Sequence, residues 1–189
     1  MASAFTHAYV ALVGGRTATG RKEPARFWVA AVTLSVLPDA DALLHWMGIP
    51  HQSPFGHRGF SHSLFIALAV SFVTARLLFQ TRVARRGFLL FLITASHGIL
   101  DAFTDGGLGV AFFWPFDNVR IFAPWRPLVV SPIGIEAFFS GWGLRVIRSE
   151  VVFVWFPLTV IFLVAWAVRR HRRHRAHSAS DADPGKLSE

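Results

Sequence analysis

Three short stretches carry residue types that can bind a cation or move a proton: "LPDAD" (37–41), "HRGFSHS" (57–63) and "HGILDAFTD" (97–105). Each lies within an apolar run or at its mouth. Ionisable side chains are costly inside a bilayer, so their presence there points to function. His97 and Asp101 are spaced i, i+4 and share one helix face. That geometry lets one helix offer two ligands to one metal. Pro38 interrupts a helix beside Asp39. Asp39 and Asp41, two apart, point to different sides of a regular helix; unwinding at Pro38 either brings both to one site or lets them serve two metals. Gly59 permits a tight turn and Ser61 is placed to cap the helix that follows. His62 then sits at a helix start, with His57 in the loop beside it.

The elements that must hold these residues are membrane helices. Of 189 residues, 53% are hydrophobic and only 16% charged, well below the usual quarter; mean hydropathy is +0.45. Four segments approach the roughly 20 residues a spanning helix needs: 27–47, 61–80, 87–105 and 151–168. Residues 2–15, which hold His7, are too short to span and read as a half-helix of the mature chain rather than a secretory leader. The expected fold is an all-α polytopic membrane bundle of about four spans plus that half-helix. Residues 1–168 form the membrane-embedded domain and 169–189 a basic tail, with disorder expected from 176 onward.

The net charge of +8 is concentrated in loop 16–26, loop 81–86 and the tail, where "RRHRRHR" opens at Arg169. The positive-inside rule places all three in the cytoplasm, which four spans connect consistently. The expected location is the inner membrane, multi-pass, with a cytoplasmic C-terminus. Loop 48–60 and the Gly-, Pro- and Trp-rich stretch 106–150 then face outward. The latter should be irregular, with an amphipathic helix near 133–147 and Trp114, Trp125 and Trp142 at the interface. Glu150 reads as a carboxylate at the N-terminus of the last span, and Glu136 has no assigned role. Nucleic acid is the weaker partner for the tail; anionic lipid is the stronger. His171, His174 and His177 read as part of its solvated basic face.

Helical rise sets the depths. Asp39, Asp41, His97 and Asp101 all fall roughly 15 to 20 Å above the basic end, and His7 roughly 13 Å. Singly, each has an ordinary structural reading as a packing histidine or a capping carboxylate. Together they form a level of imidazoles and carboxylates, and the carboxylates would repel one another without a cation between them. With no cysteine, a metal here takes His and carboxylate ligands, which suits zinc or a harder divalent ion.

The motif order "THAYVA", "LPDAD", "HRGFSHS", "HGILDAFTDGG", "WPF" and "PWRP" resembles the membrane-bound metal-dependent hydrolases, the YdjM-like family, over residues 5–168. That family looks related to the zinc-dependent phospholipase C superfamily, whose helical folds hold clustered zinc ions and cleave phosphoesters. The resemblance implies His7, Asp39, His62, His97 and Asp101 as ligands to one to three zinc ions, with His57 and Asp41 as further ligands or as groups behind them. Ser61 stands where Thr is common, and both cap helices.

The expected function is metal-assisted hydrolysis of a phosphoester, with a phospholipid or another membrane-attached substrate suggested by the depth of the site. Asp41 or Asp105 is the candidate base or water-orienting group. Arg58, Arg120 and Arg126 are candidates to grip phosphate oxygens, against a reading as interfacial snorkelling residues. Two rivals remain: a small cation or proton transporter using the same cluster, against which the chain shows no inverted repeat, and a non-catalytic protein whose polar residues only pack helices.

Overall fold

The computed structural model of the chain describes residues 1–20, 22–132 and 134–181. Ser3 opens the first helix by accepting the Thr6 N–H through its hydroxyl. Helix α1 (Ala4–Tyr9) continues through a π-helical turn, Val10–Gly14, into α2 (Gly15–Thr19). Gly20 then reverses the chain with a φ of 60°, which glycine adopts without steric cost. α3 (Ala25–Val36) tightens into a 3-10 segment, Leu37–Asp41, at Pro38 and resumes as α4 (Ala42–Trp46). A second 3-10 turn, Phe60–His62, precedes α5 (Leu64–Leu78), and α6 (Val83–Ala102) runs antiparallel to it. After the long loop come α7 (Ile135–Phe138), α8 (Gly141–Glu150), a π-helical turn, Val151–Trp155, and α9 (Phe156–Asp181).

The bundle closes around Phe27, Ala30, Ala31 and Leu34 of α3, Ala75 of α5, Leu90 and Ile93 of α6, and the flanking Ala11 and Phe79. Small side chains dominate this core. In lipid they drive association by letting backbones approach closely. Gly87 shows how closely: an added Cβ would lie 3.0 Å from the Phe72 ring. Ser71 and Thr94 hydroxyls bridge α5 and α6 at 3.1 Å. The last helix lies outside this core, with much of its apolar surface exposed. It is fastened to α1 by Tyr9 stacked on Trp155 at 5.0 Å and by Trp155 Nε1 donating to Thr6 Oγ1 at 2.7 Å.

The all-α expectation holds. Among the described residues β structure is limited to two isolated bridges, Thr104 with Leu128 and Val110 with Ile121. Among the described residues three stretches are long and apolar enough to span: Ala25–Leu44, Val83–Ala102 and Gly141–Arg173. The remaining apolar helix, Leu64–Leu78, has 15 residues, a length of about 22 Å. It starts later than the expected 61 because Ser63, not Ser61, is the cap, accepting the Phe65 N–H at 3.1 Å.

The C-terminal half differs more. Ser140 caps α8 by accepting the Trp142 N–H at 3.2 Å, so the last helix begins about ten residues before the expected 151. It also runs on to Asp181 rather than ending at 168; the disorder expected further on falls, for 182–189, on residues outside those described. Glu150 is therefore not a helix-start carboxylate. It is a fully buried interior residue that accepts the Ser3 hydroxyl at 2.6 Å and the Ser3 N–H. It thus ties the N-cap of α1 to the last helix.

The three basic segments meet at one end. Glu23 binds both Arg85 and Arg86, the latter through Nε at 2.9 Å, and Arg169 donates to the Thr17 carbonyl. Burial opposes the charge on Glu23, but hydrogen bonds from Arg86 and Arg85 outweigh it and hold its pKa below the ordinary 4.5.

A depressed carboxyl pKa contributes stability that is complete above its unfolded value and is lost as pH falls through the folded one. The melting temperature of the wild type in detergent should therefore drop more steeply than that of Glu23→Gln below about pH 4.5; parallel curves would mean the pair contributes nothing. Glu150→Ala leaves two Ser3 donors unpartnered in the interior and should destabilise by about 1–3 kcal/mol, read from denaturation in the same detergent. A smaller loss is expected for Glu150→Gln, which keeps an acceptor.

Candidate metal centre

The 3-10 turn at Pro38 decides what its two aspartates do. It carries Asp39 to one side, into the space between α1, α6 and the Phe60–His62 turn, and Asp41 to another, toward the 57–61 loop. Asp39, His62, His97 and Asp101 offer ligand atoms that all lie within 4.8 Å of one another. His97 Nε2 is 3.3 Å from Asp39 Oδ1 and 3.0 Å from His62 Nε2. His62 Nε2 is 3.5 Å from Asp101 Oδ2. His7, from α1, stacks on His97 at 3.7 Å between ring centres and points Nε2 at Asp101 Oδ1, 3.5 Å away. Four separate stretches of chain thus converge.

The imidazoles are oriented from behind. His97 Nδ1 donates to the Ser35 carbonyl at 2.7 Å. His62 Nδ1 faces Asp41 Oδ2 at 3.3 Å and the Ser61 hydroxyl at 2.9 Å. Both rings therefore present Nε2 to the centre, the arrangement in which a ligand histidine is fixed by its other nitrogen. Asp41 is the hub of this outer layer. Its Oδ1 pairs with His57 Nδ1 at 2.6 Å, and its Oδ2 accepts the Arg58 N–H at 3.1 Å and the Ser61 hydroxyl.

Among the described residues several buried polar atoms at the centre make no hydrogen bond: both oxygens of Asp39, both nitrogens of His7, and Oδ2 of Asp101 together with the Arg58 Nε that ion-pairs with it at 3.1 Å. Buried groups of this kind are normally satisfied. Two imidazole nitrogens and two carboxylate oxygens, aimed at one point, make a donor set that fits zinc or a similar divalent ion. Positive charge is favoured there on electrostatic grounds as well. His62 is flanked by carboxylates on both ring nitrogens, Asp41 Oδ2 at 3.3 Å from Nδ1 and Asp101 Oδ2 at 3.5 Å from Nε2. A proton or a cation at Nε2 answers the same demand.

Not every candidate arrives at the centre. His57 stands one layer out, held by Asp41, with its ring 5.6 Å from that of His62. Arg58 is 1% exposed and its guanidinium is committed: NH1 to the Gly106 carbonyl at 3.0 Å, NH2 to Thr104 Oγ1 at 2.8 Å, and Nε 3.1 Å from Asp101 Oδ2. Arg120 braces the 48–60 loop through the carbonyls of His57, His51 and Ser53. Asp105 is exposed and accepts the Val130 N–H. Arg126 is exposed over the Phe122 ring. The last three serve the loop, not the centre. The Ser35 carbonyl, the Ala2 N–H that donates to Asp101 Oδ1 at 2.6 Å, and Thr104 were not anticipated. Backbone groups carry no sequence signal, whereas Thr104 lies within the "HGILDAFTD" motif, three residues after Asp101.

Two clefts reach the outer layer from different directions. One, of about 360 Å³, is lined by His51, Gln52, His57, Arg58, Gly107 and Leu108, among others. The other, of about 330 Å³, lies between α3–α4 and α5, is walled by Leu34, Leu37, Leu44, Ile66 and Val70, and ends on Asp41 and Ser61.

A family model described as YdjM inner membrane protein matches residues 1–174. Inner membrane protein YbcI of Escherichia coli (strain K12) is 36% identical over 173 residues, which cover 90% of this chain and all of that protein. No solved structure matches the chain. The names and the apolar helices together place the chain in a membrane.

Removal of an outer-layer group should weaken the centre without abolishing it. Asp41→Asn should lower affinity for zinc about 10- to 100-fold, and His97→Ala should reduce it further, both measured by chelator competition on purified protein. Equal affinity in wild type and His97→Ala would show that the metal binds elsewhere.

Proposed function

The chain belongs to the YdjM inner membrane protein family, and from that premise we propose that it is a multi-pass, metal-dependent membrane hydrolase acting on a phosphoester. The observation that carries this reading is the convergence of Asp39, His62, His97 and Asp101 with buried, unpartnered oxygens. In this reading the basic end is cytoplasmic, by the excess of arginine in its loops. The metal centre then lies in the outer half of the bilayer, and the C-terminal helix ends in the cytoplasm.

A divalent ion held by these four residues, with His7 adjoining, would polarise a phosphoryl oxygen and lower the pKa of water to about 7. The chain's own residues do the rest. Asp41 fixes the His62 and His57 rings through their Nδ1 atoms. His57 lines the polar cleft, and with Nδ1 engaged its Nε2 is the atom left to take or give a proton. Such a carboxylate-oriented histidine is a general acid–base. Arg58 acts as a positioning residue: its contacts tie Asp101 to the 104–106 turn, which leaves no guanidinium edge for substrate. The apolar cleft ending at Asp41 and Ser61 opens among membrane helices, which favours a substrate with an acyl or similar chain.

The test uses protein purified in detergent, stripped with chelator and reloaded with zinc. Phosphomonoester, phosphodiester and phospholipid substrates are assayed. Hydrolysis should depend on metal and be lost in His97→Ala and Asp101→Ala, and His57→Ala should retain metal but lose about 10²–10⁴-fold in rate. Undiminished hydrolysis in His97→Ala would refute the assignment. Cation flux into liposomes with no hydrolysis would favour transport instead.

A further inference from the structure

At the end of the bundle remote from the metal centre, we propose, the cleft between the α2–α3 turn and the last helix is a binding site for one anionic phospholipid. The cleft has a volume of about 730 Å³ and is lined by five cationic side chains: Arg16, Lys22, Arg169, Arg170 and Arg173. Glu23 is the carboxylate in its wall, and that charge is already committed to Arg85 and Arg86. Lys22, Arg170 and Arg173 form no ion pair with any described residue. The cleft is therefore a concentration of positive charge that no described residue neutralises.

Its construction suits a phosphate head on a hydrocarbon tail. Arg16 lies over the Trp28 ring at 5.0 Å and Arg170 over the Trp166 ring at 5.3 Å. Stacking holds each guanidinium plane and leaves its donor edge available to phosphate oxygens. Arg169 is anchored by the Thr17 carbonyl and packs on Gly20, where an added Cβ would lie 3.4 Å from its Cζ. These side chains are pre-ordered, so less freedom is lost on binding. Trp28 and Phe162 form the apolar wall. That wall continues into the exposed face of α9, where Val164, Leu163 and Ile161 look outward. Basic pockets between helices at this depth bind anionic headgroups, and tryptophan belongs at the same level. A free phosphate would use the arginines but not the apolar wall. A nucleic acid would need a basic surface clear of the bilayer, whereas this cleft begins where α3 and the apolar part of α9 enter it.

The experiment uses the full chain in detergent, titrated with phosphatidylglycerol, cardiolipin or phosphatidylcholine and read by native mass spectrometry and by melting temperature. The variant is Lys22→Gln/Arg170→Gln/Arg173→Gln, and Arg126→Gln is the control. The three changes sit on exposed side chains that make no hydrogen bond or ion pair with a described residue, Arg170 contributing its stacking on Trp166, and equal melting of variant and wild type in phosphatidylcholine verifies the fold. Wild type and control should bind the two anionic lipids in preference to phosphatidylcholine and be stabilised by them. Each charge contributes about fivefold, so the variant should bind about 100-fold more weakly. Equal retention of phosphatidylcholine, undiminished binding by the variant, competition by glycerol phosphate at lipid concentrations, or preferential binding of single-stranded nucleic acid would each overturn the proposal. The site is independent of the metal centre, so His97→Ala should bind lipid as the wild type does.

Discussion

Three carboxylates, Asp39, Asp41 and Asp101, are buried together inside the helical bundle. In a medium of low dielectric their mutual repulsion must be met by positive charge and by hydrogen bonds to every remaining lone pair. Much of the local structure follows from that requirement. Asp41 is met by His57, His62, Ser61 and a backbone N–H, and Asp101 by Arg58 and the Ala2 N–H. Asp39 accepts no hydrogen bond from a described residue and faces the imidazoles of His97, His62 and His7 at 3.3, 3.8 and 4.0 Å. The residual demand for positive charge collects where His62 and His97 turn their Nε2 atoms, and it is there that a divalent ion fits.

The same constraint explains irregularities in the helices. Pro38 and the 3-10 segment around it separate Asp39 from Asp41 by direction. Arg58 adopts a φ of 63°, an uncommon value for a residue with a side chain. It does so where its own N–H reaches Asp41 and its side chain reaches Asp101. Gly59 follows because an added Cβ would sit 2.1 Å from the Pro54 carbonyl oxygen. The N-terminal segment is drawn in as well. Ser3, clamped by Glu150, sets the start of α1 and so the position of His7 one turn later.

Helical periodicity made part of this legible in the sequence. His97 and Asp101 share a face because they are four apart, and the proline beside Asp39 announces a break. Apolar run lengths marked the helices, and arginine-rich loops marked the end at which they meet. What was not legible depends on contacts between distant positions. Whether Asp41 is a ligand or an orienting group turns on the packing of a loop sixteen or more residues away. Ser61 and Ser63 have the same capping chemistry, and only the fold decides that one caps α5 while the other joins Asp41. Arg58 looks like a phosphate grip until Thr104 and the Gly106 carbonyl are seen to occupy it. Glu150 looked like a helix start because the π-helical turn that carries the helix through it has no mark in composition.

If the convergence of Asp39, His62, His97 and Asp101 is a metal centre, zinc must be found between these four side chains. The most direct measurement is diffraction from zinc-loaded crystals at wavelengths on either side of the metal edge. Zinc should give an anomalous peak bonded to Nε2 of His62 and His97 and to oxygens of Asp39 and Asp101, at about 2.0–2.2 Å from each. A map with no peak at that point, or with its peaks confined to the histidines of the C-terminal helix, would contradict a metal centre there.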